Sequence, residues 1–213
     1  VIPAKREKKQ PADPARDPFI IDELPTVFAC DEQDPGDTDI YTNAVQPYPL
    51  DPAWYVGFPA FYRHAKQSPH RNDGWTEIQF IASRDGKRWE RYNRESYLRP
   101  GPERSESASM LYVGTGLIVR GDEIWQYGTT YRTTHGDVPA RENGGDGVIY
   151  RFVQRVDGFV SLDFATKGGQ ARTLPVKVIG SSLLLNLDTG ALGTLRAALL
   201  DETGQPLPGF GMA

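Results

Sequence analysis

What the sequence has little of narrows its class first. Cys30 is the sole cysteine among 213 residues, so no intrachain disulfide can form, and its thiol reads as a small buried hydrophobe. No apolar run approaches the roughly 20 residues of a membrane-spanning helix, and mean hydropathy is −0.50. A basic surplus is missing as well: 24 Lys and Arg stand against 28 Asp and Glu, for a net charge of −4. Neither a nucleic acid nor a membrane is therefore expected as partner. Helical periodicity is nearly absent, with residues 191–200 the one weak window. His-Glu-x-x-His, Cys-x-x-Cys and P-loop patterns do not occur. Gly144-Gly145-Asp146-Gly147 leads into no helix, and Ser181-Ser182 sits in no strand-to-helix elbow. Zinc-enzyme and serine-hydrolase chemistry are not expected, and no metal or cofactor is. Because the chain opens on Val1 without an initiator Met and closes at 208–213 without a polar tail, it is expected to be a piece of a longer protein whose location the sequence leaves open, secreted or periplasmic at full length being one reading.

What is present is β-forming and repetitive. Aromatic residues make up 11% of the chain, with 22 Gly and 17 Pro, the mixture of strand formers and turn formers that β-rich chains carry. Trp54-Tyr55-Val56-Gly57 is echoed by Trp125-Gln126-Tyr127-Gly128, and His64 by His135 at the same offset. Asp85-Gly86 is echoed by Asp157-Gly158 at an offset one residue longer. Ordered landmarks at one period mark copies of a single supersecondary unit, although two unrelated β-meanders could match this loosely by chance. Four strands per copy are expected. Strands A to D are Ile40–Gln46, Trp54–Tyr62, Thr76–Ser83 and Trp89–Tyr92 in the first, then Leu111–Arg120, Glu123–Arg132, Val148–Val156 and Phe159–Phe164. Short A–B and C–D links imply antiparallel hairpins, and such meanders repeated about an axis are propeller blades.

The expected fold is thus all-β: a partial β-propeller of four-stranded antiparallel blades followed by a β-sandwich segment. Residues 1–26, with Lys5-Arg6-Glu7-Lys8-Lys9 and four prolines, read as an irregular arm. Residues 27–167 are the blades, and 168–213 start the sandwich. Antiparallel alternation gathers the A starts, B exits and B–C loops at one end. Asp39, Tyr41, Arg63, His64, Glu77, Glu106, Arg132 and His135 fall there. Asp85, in Ser83-Arg84-Asp85-Gly86-Lys87-Arg88-Trp89, reads instead as a turn acceptor of backbone N–H groups.

These motifs resemble a known group. Asp39-Ile40-Tyr41-Thr42, Phe58-Pro59-Ala60, Ser83-Arg84-Asp85-Gly86, Thr134-His135-Gly136 and Asp157-Gly158-Phe159-Val160-Ser161 are similar to segments of bacterial proteins related to glycoside hydrolase family 32. Those belong with the five-bladed propeller furanosidases of families 32 and 43, which continue into a C-terminal β-sandwich. Residues 183–189 and 201–210 resemble that sandwich. The W-M-N-D-P-N-G segment that carries the nucleophile of family 32 enzymes is absent here, so the resemblance speaks to fold more than to activity.

The resemblance implies a carbohydrate ligand, oligo- or polysaccharide. Glycoside hydrolysis takes two carboxyl groups about 5–5.5 Å apart for retention or roughly 6.5–9.5 Å for inversion. Asp39 or Glu77 is the candidate nucleophile or base and Glu106 the candidate acid, each of which also reads as a solvated loop acid or a cap. Tyr41, Arg63, His64, Arg132 and His135 are candidate substrate-binding residues, or hydrogen-bonded strand ends and surface ion pairs. The expected function is a glycoside-hydrolase-like carbohydrate-processing protein. The alternatives are a non-catalytic sugar-binding propeller module, using Tyr41, Trp75 and Tyr131 with the Arg/His rim, and a structural remnant without a pocket.

Overall fold

A computed structural model describes residues 24–138 and 146–212. Most of the expected N-terminal arm, with its basic cluster, lies outside the described residues. Among the described residues the strands are ten: β1 Thr38–Thr42, β2 Gln46–Tyr48, β3 Asp51–Gly57, β4 Ala60–His64, β5 Gly74–Ile78, β6 Ile81–Ser83, β7 Met110–Val113, β8 Ile118–Arg120, β9 Glu123–Tyr131 and β10 Gly147–Arg155. The protein is all-β, built from several antiparallel sheets. The chain divides into two units, Val1–Gln154 and Arg155–Ala213.

The first unit holds two copies of an A–B–C meander. In the first copy, the expected A, B and C strands are each cut in two at the same level. β1–β4–β5 and β2–β3–β6 form separate three-stranded sheets, so the expected strand Trp54–Tyr62 ends at Gly57 and restarts at Ala60. Pro59 explains the cut, since it has no N–H to give a ladder. The neighbours break with it: Ala44 takes φ 40° between β1 and β2, and Gln79 leaves its strand to donate its backbone N–H to Pro59 O at 3.0 Å. In the second copy, β9 stays whole and lies between β10 and β7, with β8 also paired to it. Ile124, Gln126, Gly128 and Thr130 are buried on β9 while Trp125, Tyr127 and Thr129 between them are not, the alternation of a strand with one packed face. Trp89–Tyr92 contributes one bridge, Ala82 to Glu90.

The core sits at the cut. Phe58, Ala60, Phe61 and Ile78 are fully buried, and the Phe58 ring meets Tyr97 at 5.3 Å and Phe80 at 5.8 Å. Each such phenyl contributes about 1.5–3 kcal/mol by leaving water. Thr76 then links the copies. Its hydroxyl donates to Leu111 O at 2.7 Å and accepts from Leu111 N at 2.6 Å, fastening β5 beside β7. A strap across the first copy is held by two bidentate pairs, Arg91 on Asp34 at 2.7 and 2.9 Å and Arg94 on Asp31 at 2.6 and 2.9 Å.

In the second unit, Leu199 and Leu207 pair through N–H to O at 2.9 Å, and Leu200 bridges Pro206. Phe159–Phe164 forms no strand among the described residues. Leu162, Leu184 and Leu192 stand in solvent, so the apolar burial that stabilises a strand is lacking there.

Candidate functional site

Register decides which side chains can meet. β1 pairs with β4 so that Thr38 faces Arg63, Asp39 faces Tyr62 and Ile40 faces Phe61. β4 pairs with β5 so that Phe61 faces Glu77, Tyr62 faces Thr76, Arg63 faces Trp75 and His64 faces Gly74. Directly opposed residues share a face, and successive residues alternate. One face therefore carries Asp39, Tyr62 and His64, and the other Thr38, Phe61, Arg63 and Glu77.

On the first face, His64 Nε2 lies 2.7 Å from Asp39 Oδ2. Its ring meets Tyr62 edge-on at 4.7 Å. A bulge between Ile40 and Thr42 re-aims Tyr41, which stacks on Tyr62 at 5.4 Å and remains 49% exposed. His135 arrives from the second copy and packs on the same Tyr62 ring at 5.5 Å. Its Nε2 is 2.9 Å from the Tyr41 hydroxyl and its Nδ1 3.2 Å from Asn72 O. A carbonyl can only accept, so Nδ1 carries the proton and Nε2 accepts from Tyr41 O–H. Asn72 holds φ 50°, a left-handed conformation that Asn tolerates, and its carbonyl also accepts from the Tyr62 hydroxyl at 2.8 Å.

On the second face, Glu77 accepts from Arg63 at 2.6 Å, Ser96 Oγ at 2.7 Å and Gln79 Nε2 at 3.3 Å. Burial opposes its ionisation, but Ser96, Arg63 and Gln79 outweigh that and hold its carboxyl below the ordinary range. Arg63 is shared between Glu77 and Thr38 Oγ1.

The structure thus brings together four of the residues singled out in the sequence: Asp39, Tyr41, His64 and His135. It also joins Arg63 to Glu77, but on the opposite face, so Asp39 and Glu77 do not look at a common point. Glu106 lies in the loop before β7, exposed, 3.4 Å from the Tyr150 hydroxyl. Arg132 is exposed at the exit of β9 and is anchored by its backbone, donating to Asp146 Oδ1 at 3.0 Å. Asp85 is a turn residue: its Oδ1 accepts from Lys87 N and Arg88 N, both at 2.8 Å.

Three contributors escaped the sequence reading: Tyr62, Asn72 and Asp73. Tyr62 was legible, because a residue two before His64 on a strand shares its face. Asn72-Asp73-Gly74 shows only as turn chemistry. Asp73 is 6% exposed, and its Oδ1 accepts from Gly74 N at 2.9 Å and Gly136 N at 2.7 Å. Burial pushes against its charge, yet hydrogen bonds from Ser68, Thr134, Gly136 and Gly74 hold its carboxyl at about 2. Among the described residues, no group of three or more His, Cys, Asp or Glu is placed to hold a metal ion.

Fold and site together define an all-β protein with a carboxylate–imidazole pair and a tyrosine–imidazole pair on one tyrosine-lined sheet face. No protein-family model matches the chain, and no solved structure does. Among curated proteins it is similar to a protein of Flavonifractor plautii named A type blood N-acetyl-alpha-D-galactosamine deacetylase, at 24% identity over 152 residues, covering 64% of this chain and 20% of that protein. The chain therefore spans about a fifth of the length of the curated relative it matches.

Proposed function

We propose that this chain is part of a carbohydrate-processing protein, that its two meanders are neighbouring propeller blades, and that the Asp39–His64 face is a hydrolytic site for an N-acetylated sugar. The observation that carries the reading is the Asp39–His64 hydrogen bond at 2.7 Å beside Tyr41–His135 at 2.9 Å. In neutral His64, the N–H at Nε2 donates its hydrogen bond to the Asp39 carboxylate, and the lone pair is left on Nδ1. A base oriented by a carboxylate is the arrangement that activates a nucleophile. Water loses a proton to His64 Nδ1 and its oxygen adds to the acetyl carbonyl, while Asp39 stabilises the imidazolium that forms. The C–N bond breaks as the leaving nitrogen takes the Tyr41 hydroxyl proton, acetate departs, and the proton held by the His64 imidazolium then returns through solvent to the Tyr41 oxygen, restoring both groups. Tyr41, half in solvent and stacked on Tyr62, offers an aromatic face to the apolar side of a sugar ring. The deacetylase name of the relative supports this substrate class.

A second reading is glycosidic cleavage, which the family 32 resemblance supports through Ser83-Arg84-Asp85-Gly86 and Asp39-Ile40-Tyr41-Thr42. On it Asp39 is the nucleophile. A product assay separates the two. With p-nitrophenyl N-acetyl-α-D-galactosaminide, deacetylation releases acetate and leaves the chromophore attached, whereas glycosidic cleavage releases p-nitrophenol. His64→Ala is expected to lower acetate release by about 10²–10⁴-fold, the usual contribution of a positioned base, with Asp39→Asn close behind. Release of p-nitrophenol without acetate would replace the first reading by the second. Sugar binding with neither product would leave a binding module.

A further inference from the structure

We propose that Asp73 is a positioning residue of this site, stapling the loop that carries His135 to the loop that leaves the His64 strand. The role rests on reading His64 and His135 as members of one site.

The argument is a matched set of contacts between two triplets. Asn72 O accepts from His135 Nδ1 at 3.2 Å. Asp73 Oδ1 accepts from Gly136 N at 2.7 Å. Gly74 O accepts from His135 N at 3.0 Å. Asp73 also accepts from the Ser68 hydroxyl through Oδ2 and from Thr134. Residues 72–74 of one loop therefore hold residues 134–136 of the other, with the Asp73 carboxylate as the side-chain acceptor that links the two loops. A Cβ on Gly136 would stand 2.8 Å from both Asp73 Cβ and His70 Cβ, so the close approach requires glycine at 136. Gly74 likewise has no room, since a Cβ there would lie 2.2 Å from Arg63 O.

The chemical consequence falls on the tautomer of His135. While the staple holds, Nδ1–H faces Asn72 O and Nε2 keeps its lone pair for Tyr41. If the 134–136 loop shifts, the Asn72 contact opens and the ring is free to carry its proton on either nitrogen. His64, fixed by Asp39 on its own strand pair, does not depend on the staple. A fold-stabilising carboxylate alone would affect both rings or neither.

The chain has 3 histidines, so ¹⁵N-histidine labelling gives three ring spin systems. Long-range ¹H–¹⁵N spectra at about pH 8, where imidazoles are neutral, read each tautomer. In the intact chain His135 is expected as the Nδ1–H form and His64 as the Nε2–H form. Asp73→Ala should turn His135 into a tautomer mixture with His64 unchanged. Asp73→Asn should preserve it, because the amide oxygen still accepts both backbone N–H groups. On p-nitrophenyl N-acetyl-α-D-galactosaminide, Asp73→Ala should lower kcat by about 10²-fold, as expected for a misplaced catalytic group, with KM held. Should Asp73→Ala not fold, Gly136→Ala applies the same displacement and carries the test. An unchanged His135 tautomer in a folded Asp73→Ala or Gly136→Ala chain overturns the proposal. Absence of acetate release from the intact chain counts against the function, whereas the spectra still test the staple.

Discussion

Arg63 and His64 are adjacent in the chain and work on opposite faces of one strand. The strand end groups them in sequence, and the pleat separates them in space. Glu77 follows Arg63, and so belongs to a half-buried network with Ser96, Gln79 and Thr38 instead of to the tyrosine face. Arg63 donates to its Oε1 and Ser96 to its Oε2, so a glutamine, with one acceptor oxygen and no charge, can serve only one of them as before. Glu77→Gln is expected to lower stability in urea by about 1–3 kcal/mol while leaving acetate release per folded molecule unaltered. Loss of turnover at unchanged stability would move Glu77 into the chemistry. Period-two alternation made part of this sorting readable in advance: Tyr62 with His64 on one face, and Phe61 with Arg63 on the other. Sorting by strand end, without asking which face each residue takes, placed Arg63 beside His64. The bulge that re-aims Tyr41 leaves no mark in the sequence, because any residue of that size could occupy it.

The strands were legible as β and illegible in length. Trp54–Tyr62 is mostly strand formers on either side of Pro59, and Gly57 with the proline was the visible warning. That all three strands break at the same level follows from pairing across the sheet, which no single strand carries in its residues. The repeat was informative at this scale, because equal offsets put His64 at the end of β4 and His135 in the turn that follows β9, and the fold brings both onto one tyrosine. What draws them together is the β5–β7 junction, where Thr76 exchanges two hydrogen bonds with Leu111. Thr76 is fully buried, so a methyl in place of its hydroxyl strands a donor and an acceptor without water. Thr76→Val is expected to cost about 1–3 kcal/mol, read as a lower urea midpoint. Because this junction sets the two meanders side by side, the variant should also weaken the Tyr41–His135 contact, seen as chemical-shift change at His135. A variant as stable as the parent would show that the junction is held by packing alone.

Across the first unit, charge is used where it is hydrogen-bonded. Asp34, 3% exposed at its side chain against an Arg91 that is 6% exposed, is opposed by burial, but hydrogen bonds from Arg91 and Asp31 hold its carboxyl below the ordinary range. Asp73, Glu77 and Asp146 follow the same pattern, each burial-opposed and each lowered by donors. A carboxylate whose folded pKa lies below its unfolded value binds fewer protons in the native state. Stability therefore rises with pH while the unfolded chain is still protonated. The contribution of each is complete above the unfolded carboxylate range, near pH 4, and is lost as pH falls toward the folded value. For Asp73 that value is about 2, and the drop from the ordinary 3.8 corresponds to about 2 kcal/mol. Urea midpoints are accordingly expected to hold steady at neutral and mildly acidic pH and to decline steeply between about pH 4 and pH 2. Asp73→Asn, which cannot take up a proton, should flatten that decline while starting from a lower plateau. If the variant and the parent lose stability along parallel curves, Asp73 is not among the groups whose protonation unfolds the chain.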